Sequence, residues 1–119
     1  MLLALDVSSS CTGWSFWNDA YHLVDYGSFK PTDLLDFHRN IDRLILRGVR
    51  SIVAEDIFRG PSTQTFKVLA GLQAIVRLNA LQHAVPLELV SALVWRKSLG
   101  WGRLKRKEAK ALAVTTVEA

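Results

Sequence analysis

The sequence of 119 residues contains very little cysteine, only Cys11, and only three prolines. A single cysteine cannot form a disulfide within the chain, which excludes the small disulfide-stabilised secreted proteins and favours a reducing cytoplasm. The sequence also lacks a signal-peptide pattern and any apolar run near the ~18 residues that a membrane-spanning helix needs. We therefore expect a soluble, cytoplasmic protein without a membrane partner.

The length and the composition are those of one globular domain. Hydrophobic residues make up 50% of the sequence and charged residues 22%, which is ordinary usage for a protein with a packed core. A chain of this length can bury such a core without disulfides or structural metal ions. Because no repeat, low-complexity tract or linker interrupts the sequence, we expect a single domain over residues 1–119.

The excess of positive charge is confined to the C-terminal quarter of the sequence. Residues 1–91 contain eight Lys/Arg and nine Asp/Glu, a net charge of −1, whereas residues 92–119 contain seven Lys/Arg and two Glu, a net charge of +5. These cations are interleaved with Trp95 and Trp101, a combination suited to binding a phosphate backbone and stacking on bases. The alternative is a solvated helix face that keeps the protein soluble, and charge alone does not decide between the two.

Hydrophobic patterning predicts the element order β-β-β-α-β-α-β-α. The predicted strands are 2–7, 14–17, 23–29, 51–58 and 87–90. The first predicted helix begins within residues 31–33 and ends at Gly48, the second runs from Ser62 to about His83, and the third covers residues 104–119. A hairpin meander followed by βαβ crossovers gives a mixed five-stranded sheet flanked by helices on both faces, with strand one between the meander and strand four. This is the arrangement of the ribonuclease-H-like α/β fold.

Two acidic residues stand where a buried strand would not be expected to have them. Asp6 and Glu55 each lie near the end of an apolar strand, and a carboxylate there is costly unless it is paired or binds a metal ion. If strands one and four are neighbours, the two carboxylates converge and favour Mg²⁺ or Mn²⁺ over zinc. Asp56 faces the other way, because strand neighbours alternate. The alternative is that Asp6 accepts backbone N–H groups of the following turn and that Glu55 pairs with Arg59.

Four motifs, taken in order, resemble those of RuvC-like Holliday junction resolvases, especially the compact phage-type members. The motifs are Asp6-Val-Ser-Ser-Ser-Cys-Thr-Gly-Trp14, Val53-Ala-Glu-Asp-Ile-Phe58, Trp95-Arg-Lys97 and Lys105-Arg-Lys-Glu-Ala-Lys110. The resemblance implies a metal-dependent endonuclease that hydrolyses phosphodiester bonds in four-way DNA junctions with two Mg²⁺ or Mn²⁺ ions. It also implies a homodimer, to which the helix after Glu55 contributes, in the cytoplasm of a bacterial or phage-infected cell.

The resemblance also implies roles for individual residues. Asp6 and Glu55 match the metal-binding catalytic carboxylates, and Lys107 matches a catalytic lysine that contacts the scissile region. Phe58 matches an aromatic residue that inserts at the crossover of the junction, with a core phenylalanine as the alternative. The remaining residues predicted to contact DNA are Arg59, Arg96, Lys97, Arg103, Lys105, Arg106 and Lys110.

One part of the family pattern is missing from the sequence. RuvC-like resolvases carry a further acidic pair, in a D-x-x-D-A-like pattern, after the basic segment, whereas this sequence has only Glu108 and Glu118 there. We interpret this as truncation at the C-terminus, with a naturally shortened, catalytically incomplete nucleic-acid-binding module as the alternative. A further alternative is a sugar kinase or an actin-like ATPase, which would use Asp6 to Gly13 as a phosphate-binding turn. Such enzymes need a second domain, and 119 residues are too few for it.

Overall fold

The computed structural model describes residues 1–8, 10–57 and 63–91. Within these residues the elements follow one another in the predicted order. They are β1 (Leu2–Asp6), β2 (Thr12–Trp17), β3 (Leu23–Phe29), α1 (Leu34–Ile45), β4 (Ser51–Glu55), α2 (Thr63–Gln82) and β5 (Leu87–Val90). The predicted helix over residues 104–119 lies outside this part of the chain. No helix in the described ranges is long and apolar enough to cross a membrane.

The five strands form one mixed sheet in the order β3-β2-β1-β4-β5. The first three strands pair antiparallel, whereas β4 is parallel to both β1 and β5. Strand β1 therefore lies between the meander and β4. This confirms the predicted ribonuclease-H-like sheet, because the crossover from β3 through α1 returns the chain to the far side of β1.

The core covers one face of the sheet. Alternate residues of β1 and β4 point to this face, as expected for strands that are buried on one side, and they pack against both helices. The buried core residues of the strands are Leu3, Leu5, Phe16, Ile52 and Ala54, and those of the helices are Phe37, Ile41, Leu44, Ile45, Leu72, Val76 and Ala80. Both α1 and α2 thus pack on the same face. The βαβ crossovers predicted helices on both faces, whereas the two described helices cover one face; the third predicted helix lies outside the described residues.

Local features of the sequence set both ends of α1. Asp33 is the N-cap and accepts a hydrogen bond from the backbone N–H of Asp36 over 2.7 Å, which satisfies one of the free amides of the first turn. Past the other end, Gly48 has φ of +101°, a conformation that favours glycine. These two signals explain why the sequence predicts this helix well.

Arg47, just after α1, joins the helix end to the meander. Its guanidinium lies 4.4 Å from the ring centroid of Phe16 and 5.5 Å from that of Trp14. The same group pairs with Asp25 on β3 over 2.7 Å. This hydrogen bond from Arg47, together with the backbone N–H of Tyr26, lowers the pKa of the Asp25 carboxyl. Because the pair is half-exposed, it contributes little to stability by itself.

Candidate metal site at the carboxyl edge of the sheet

Asp6 and Glu55 are neighbours at the carboxyl ends of two parallel strands. The register of β1 and β4 runs from Leu2↔Ser51 to Leu5↔Ala54, and one further step places Asp6 beside Glu55. Adjacent strands lie about 4.8 Å apart. Since Leu5 and Ala54 point into the core, the two carboxylates that follow them point to the opposite face. One oxygen atom of each, Oδ1 of Asp6 and Oε1 of Glu55, is buried.

This pair of carboxylates suits a hard divalent cation. Two carboxylates in adjacent register positions repel each other when both carry a charge, and a bound cation removes that cost. Oxygen donors favour Mg²⁺ or Mn²⁺ over softer metal ions. Among residues 1–8, 10–57 and 63–91, no group of three or more His, Cys, Asp or Glu side chains could hold a metal ion. The described part of the site therefore consists of two carboxylates, and Mg²⁺ commonly completes such a shell with water.

Ser8 and Gly13 lie close to Asp6 in the chain and across the strand pair, respectively. The hydroxyl of Ser8 donates to the carbonyl of Cys11 and accepts the backbone N–H of Cys11 over 3.2 Å. This turn amide is thus bound by Ser8. Across the strand pair, Gly13 lies opposite Asp6, and a Cβ atom built at Gly13 would come within 3.9 Å of the Asp6 Cβ. The glycine leaves this space open next to the carboxylate.

Two hydrogen bonds hold the backbone that follows β4. The backbone N–H of Asp56 donates to the carbonyl of Val90 on β5 over 2.7 Å. The next amide, that of Ile57, donates to Oε1 of Gln73 on α2 over 3.2 Å. The side chain of Asp56 is exposed, in line with its exclusion from the predicted metal site. Sequence reasoning did not single out Gln73, although it is a polar residue among the core-facing residues of α2.

The structure thus brings together the two residues predicted to bind metal, Asp6 and Glu55. The predicted catalytic Lys107 lies outside the described residues. So do the residues predicted to contact DNA, namely Phe58, Arg59, Arg96, Lys97, Arg103, Lys105, Arg106 and Lys110.

Comparison with known proteins places this geometry in a known fold. No family model and no curated protein matches the sequence significantly. Among solved structures, Thermus thermophilus RuvC matches with a TM-score of 0.76 at 12% identity, over 98% of this chain and 80% of RuvC. T. thermophilus RuvC in complex with a Holliday junction substrate matches with a TM-score of 0.74 at 11% identity, over 83% of this chain and 70% of RuvC. The fold predicted from the order of the motifs is therefore confirmed, and the chain has a RuvC-like fold of the ribonuclease-H type.

Proposed function

We propose that this protein is a structure-selective endonuclease that cuts four-way DNA junctions by metal-dependent hydrolysis of phosphodiester bonds. The observation that carries the proposal is the placement of Asp6 and Glu55 side by side at the carboxyl ends of β1 and β4, on the face away from the core. The fold match to RuvC bound to a Holliday junction substrate supports the choice of DNA substrate. We propose that the protein acts in the cytoplasm of a bacterial or phage-infected cell.

In this proposal the two carboxylates hold Mg²⁺ or Mn²⁺ at the sheet edge. Bound there, such ions lower the pKa of an attacking water and stabilise the leaving oxygen in an in-line displacement. Asp6 and Glu55 would hold the metal ion, and Gly13 puts no side chain on the Asp6 side of the pair. Lys107 is proposed to neutralise charge that develops on the phosphate. A second ion requires ligands beyond the two carboxylates of the described residues.

Affinity for the junction is proposed to come from the basic segment and from the chain just after β4. Residues 92–119 carry a net charge of +5, and each cation that neutralises a phosphate releases condensed counterions. Phe58 and Arg59 directly follow Ile57 in the sequence, the residue held at the end of β4. We propose that they contact the junction near its crossover.

A homodimer would match the two-fold symmetry of a four-way junction. Helix α2 offers a surface for it, because apolar side chains also lie on the side turned away from the core. Val68, Leu78 and Leu81 are exposed by 39%, 47% and 74%. A helix that is apolar on both sides is typical of one that packs on both sides. We propose that two copies of α2 meet at the two-fold axis.

A second candidate function is a DNA-binding module that does not cut. The described residues bring together only two carboxylates as metal ligands, whereas two metal ions ordinarily need more than two ligands from the protein. This shortage of ligands favours the binding module. Such a module would bind junctions in a salt-sensitive manner and leave their strands intact.

Incubation of a labelled four-way junction with the protein and Mn²⁺ separates the two functions. The nuclease produces paired nicks in opposed strands, and a linear duplex of the same sequence stays intact. Asp6→Asn or Glu55→Gln abolishes the nicks while junction binding persists, and Asp56→Asn serves as the matched control that cuts like the wild type. Binding without cutting by the wild-type protein, even at high protein concentration, contradicts the nuclease and favours the binding module.

A further inference from the structure

We propose that Gln73 is a positioning residue that fixes the carboxylate of Glu55 by holding the end of β4. The contact runs through the backbone, since Oε1 of Gln73 accepts the N–H of Ile57 over 3.2 Å. This inference rests on the proposed function, because that function gives Glu55 its role as a metal ligand. It assigns Gln73 a part in metal binding that acts through the backbone of Ile57.

The two amides that follow Glu55 are held from two different elements. The first, that of Asp56, donates to the carbonyl of Val90 over 2.7 Å. Strand β1, on the other side of β4, ends at Asp6. The next amide, that of Ile57, is bound by the side chain of Gln73. The exit of β4 is thereby bound to β5 and to α2 within two residues of Glu55.

The donor, the backbone N–H of Ile57, decides which atom of the Gln73 amide group faces it. A backbone N–H only donates, so the amide group of Gln73 must present its oxygen to Ile57. Its neighbours on the core side of α2 are apolar: Leu72 and Val76 are buried, and Leu69 packs against the core. A polar side chain at such a position is costly unless it is hydrogen-bonded. The bond to Ile57 meets this requirement.

The position of β4 matters for the metal site because the two carboxylates come from different strands. Asp6 is the last residue of β1 and pairs with Gly13 on β2, and Glu55 is the last residue of β4 and pairs with Val90 on β5. Movement at the exit of β4 would change the spacing between the two carboxylates. Loss of a residue that orients a metal ligand typically costs about 10–100-fold in metal affinity or activity.

The test compares three substitutions in the full chain. Gln73→Met keeps the length of the side chain but removes the strong acceptor. Gln73→Glu restores an acceptor oxygen. Gln82→Met is the matched control, because Gln82 also lies on α2 and makes a side-chain hydrogen bond, to Nε2 of His38 over 2.9 Å, at the other end of the helix.

Four quantities are measured: Mn²⁺ affinity in the absence of DNA by electron paramagnetic resonance, hydrogen exchange of the Ile57 amide, the rate of junction cleavage, and the affinity for the junction. Gln73→Met should weaken Mn²⁺ binding about tenfold, expose the Ile57 amide to exchange and slow cleavage, with junction affinity unchanged. Gln73→Glu should return all of these toward the wild-type values. Gln82→Met should leave them unchanged. If Gln73→Met does not melt cooperatively, Gln73→Ala carries the same test.

The outcomes separate this inference from the function on which it rests. Wild-type protein that binds Mn²⁺ and cuts junctions, together with Gln73→Met protein that does both equally well, overturns the inference and leaves the nuclease intact. Equal losses in Gln73→Met and Gln82→Met also overturn it, since the effect then belongs to the helix as a whole. Wild-type protein that neither binds Mn²⁺ nor cuts overturns the nuclease, and the positioning role falls with it.

Discussion

Asp6 and Glu55 lie at the same level of two parallel strands, one residue beyond the Leu5↔Ala54 pair, and both face away from the core. Each carboxylate thus stands beside a like charge at the edge where β1 and β4 end. A divalent cation removes the repulsion that this arrangement creates. The proposed metal site is therefore a consequence of the register between two strands.

Mn²⁺ should stabilise the folded protein through these two carboxylates. A ligand that binds only the folded state at a hundredfold excess over its Kd contributes about 2.7 kcal/mol. We expect Asp6→Asn and Glu55→Gln to lose this stabilisation and Asp56→Asn to retain it, because the exposed Asp56 side chain lies outside the pair. Thermal unfolding with Mn²⁺ or with EDTA measures the difference. Full Mn²⁺ stabilisation of Asp6→Asn would show that Asp6 is not a ligand.

The proposed dimer depends on the outward side of α2. A glutamate in place of Leu81, which is 74% exposed, should weaken the dimer by about 2 kcal/mol or more, roughly a 30-fold increase in its dissociation constant. Leu46→Glu is the matched control, since Leu46 is 68% exposed but follows α1. Sedimentation equilibrium measures both variants. A wild-type monomer, or equal weakening by the two variants, would exclude this surface as the interface.

Much of the fold could be predicted because its determinants are local in sequence. The apolar run in β1, the Asp33 cap and Gly48 predict elements that the structure contains. The predicted ends of the strands were less accurate, because pairing with neighbouring strands determines where a strand ends. Strand β4 was predicted to reach Phe58 but ends at Glu55, where its neighbour β5 also ends.

The carboxylate pair of Asp6 and Glu55 was also predictable, whereas the contact of Gln73 at the end of β4 was not. A carboxylate at the end of each of two apolar strands is visible in the sequence, and the element order makes those strands neighbours. Gln73, by contrast, contacts Ile57 across 16 positions of the chain, and this depends on how α2 packs against the sheet. No local pattern in the sequence distinguishes Gln73 from a glutamine on the exposed side of a helix.

The Asp25–Arg47 pair should make stability depend on acidity. The hydrogen bond from Arg47 lowers the pKa of Asp25 in the folded state, so the folded state binds this proton less readily than the unfolded chain does. The stabilisation is therefore complete above the unfolded pKa of about 4 and is lost as the pH falls through the lower folded value. We expect Asp25→Asn to remove part of the acid-induced loss of stability, measured by urea unfolding between neutral and acidic pH.

A matched variant distinguishes this pair from general charge effects. Asp19 is an exposed aspartate in the turn between β2 and β3, and Asp19→Asn removes the same charge. Its pH dependence should follow that of the wild type. If the two variants show the same pH dependence, the ion pair with Arg47 has no measurable effect on stability.

Gly27 is required because the indole of Trp14 lies against it. The two residues are opposite each other on β2 and β3, and a Cβ atom at Gly27 would lie 2.5 Å from Cζ2 of Trp14. Gly27→Ala must therefore displace the ring from Phe16 and Arg47, at a cost of about 1–3 kcal/mol. Gly13→Ala is the matched strand control, because its Cβ would make only an ordinary contact at 3.9 Å. Urea unfolding of the two variants measures the cost, and equal stability would mean that Trp14 moves aside freely.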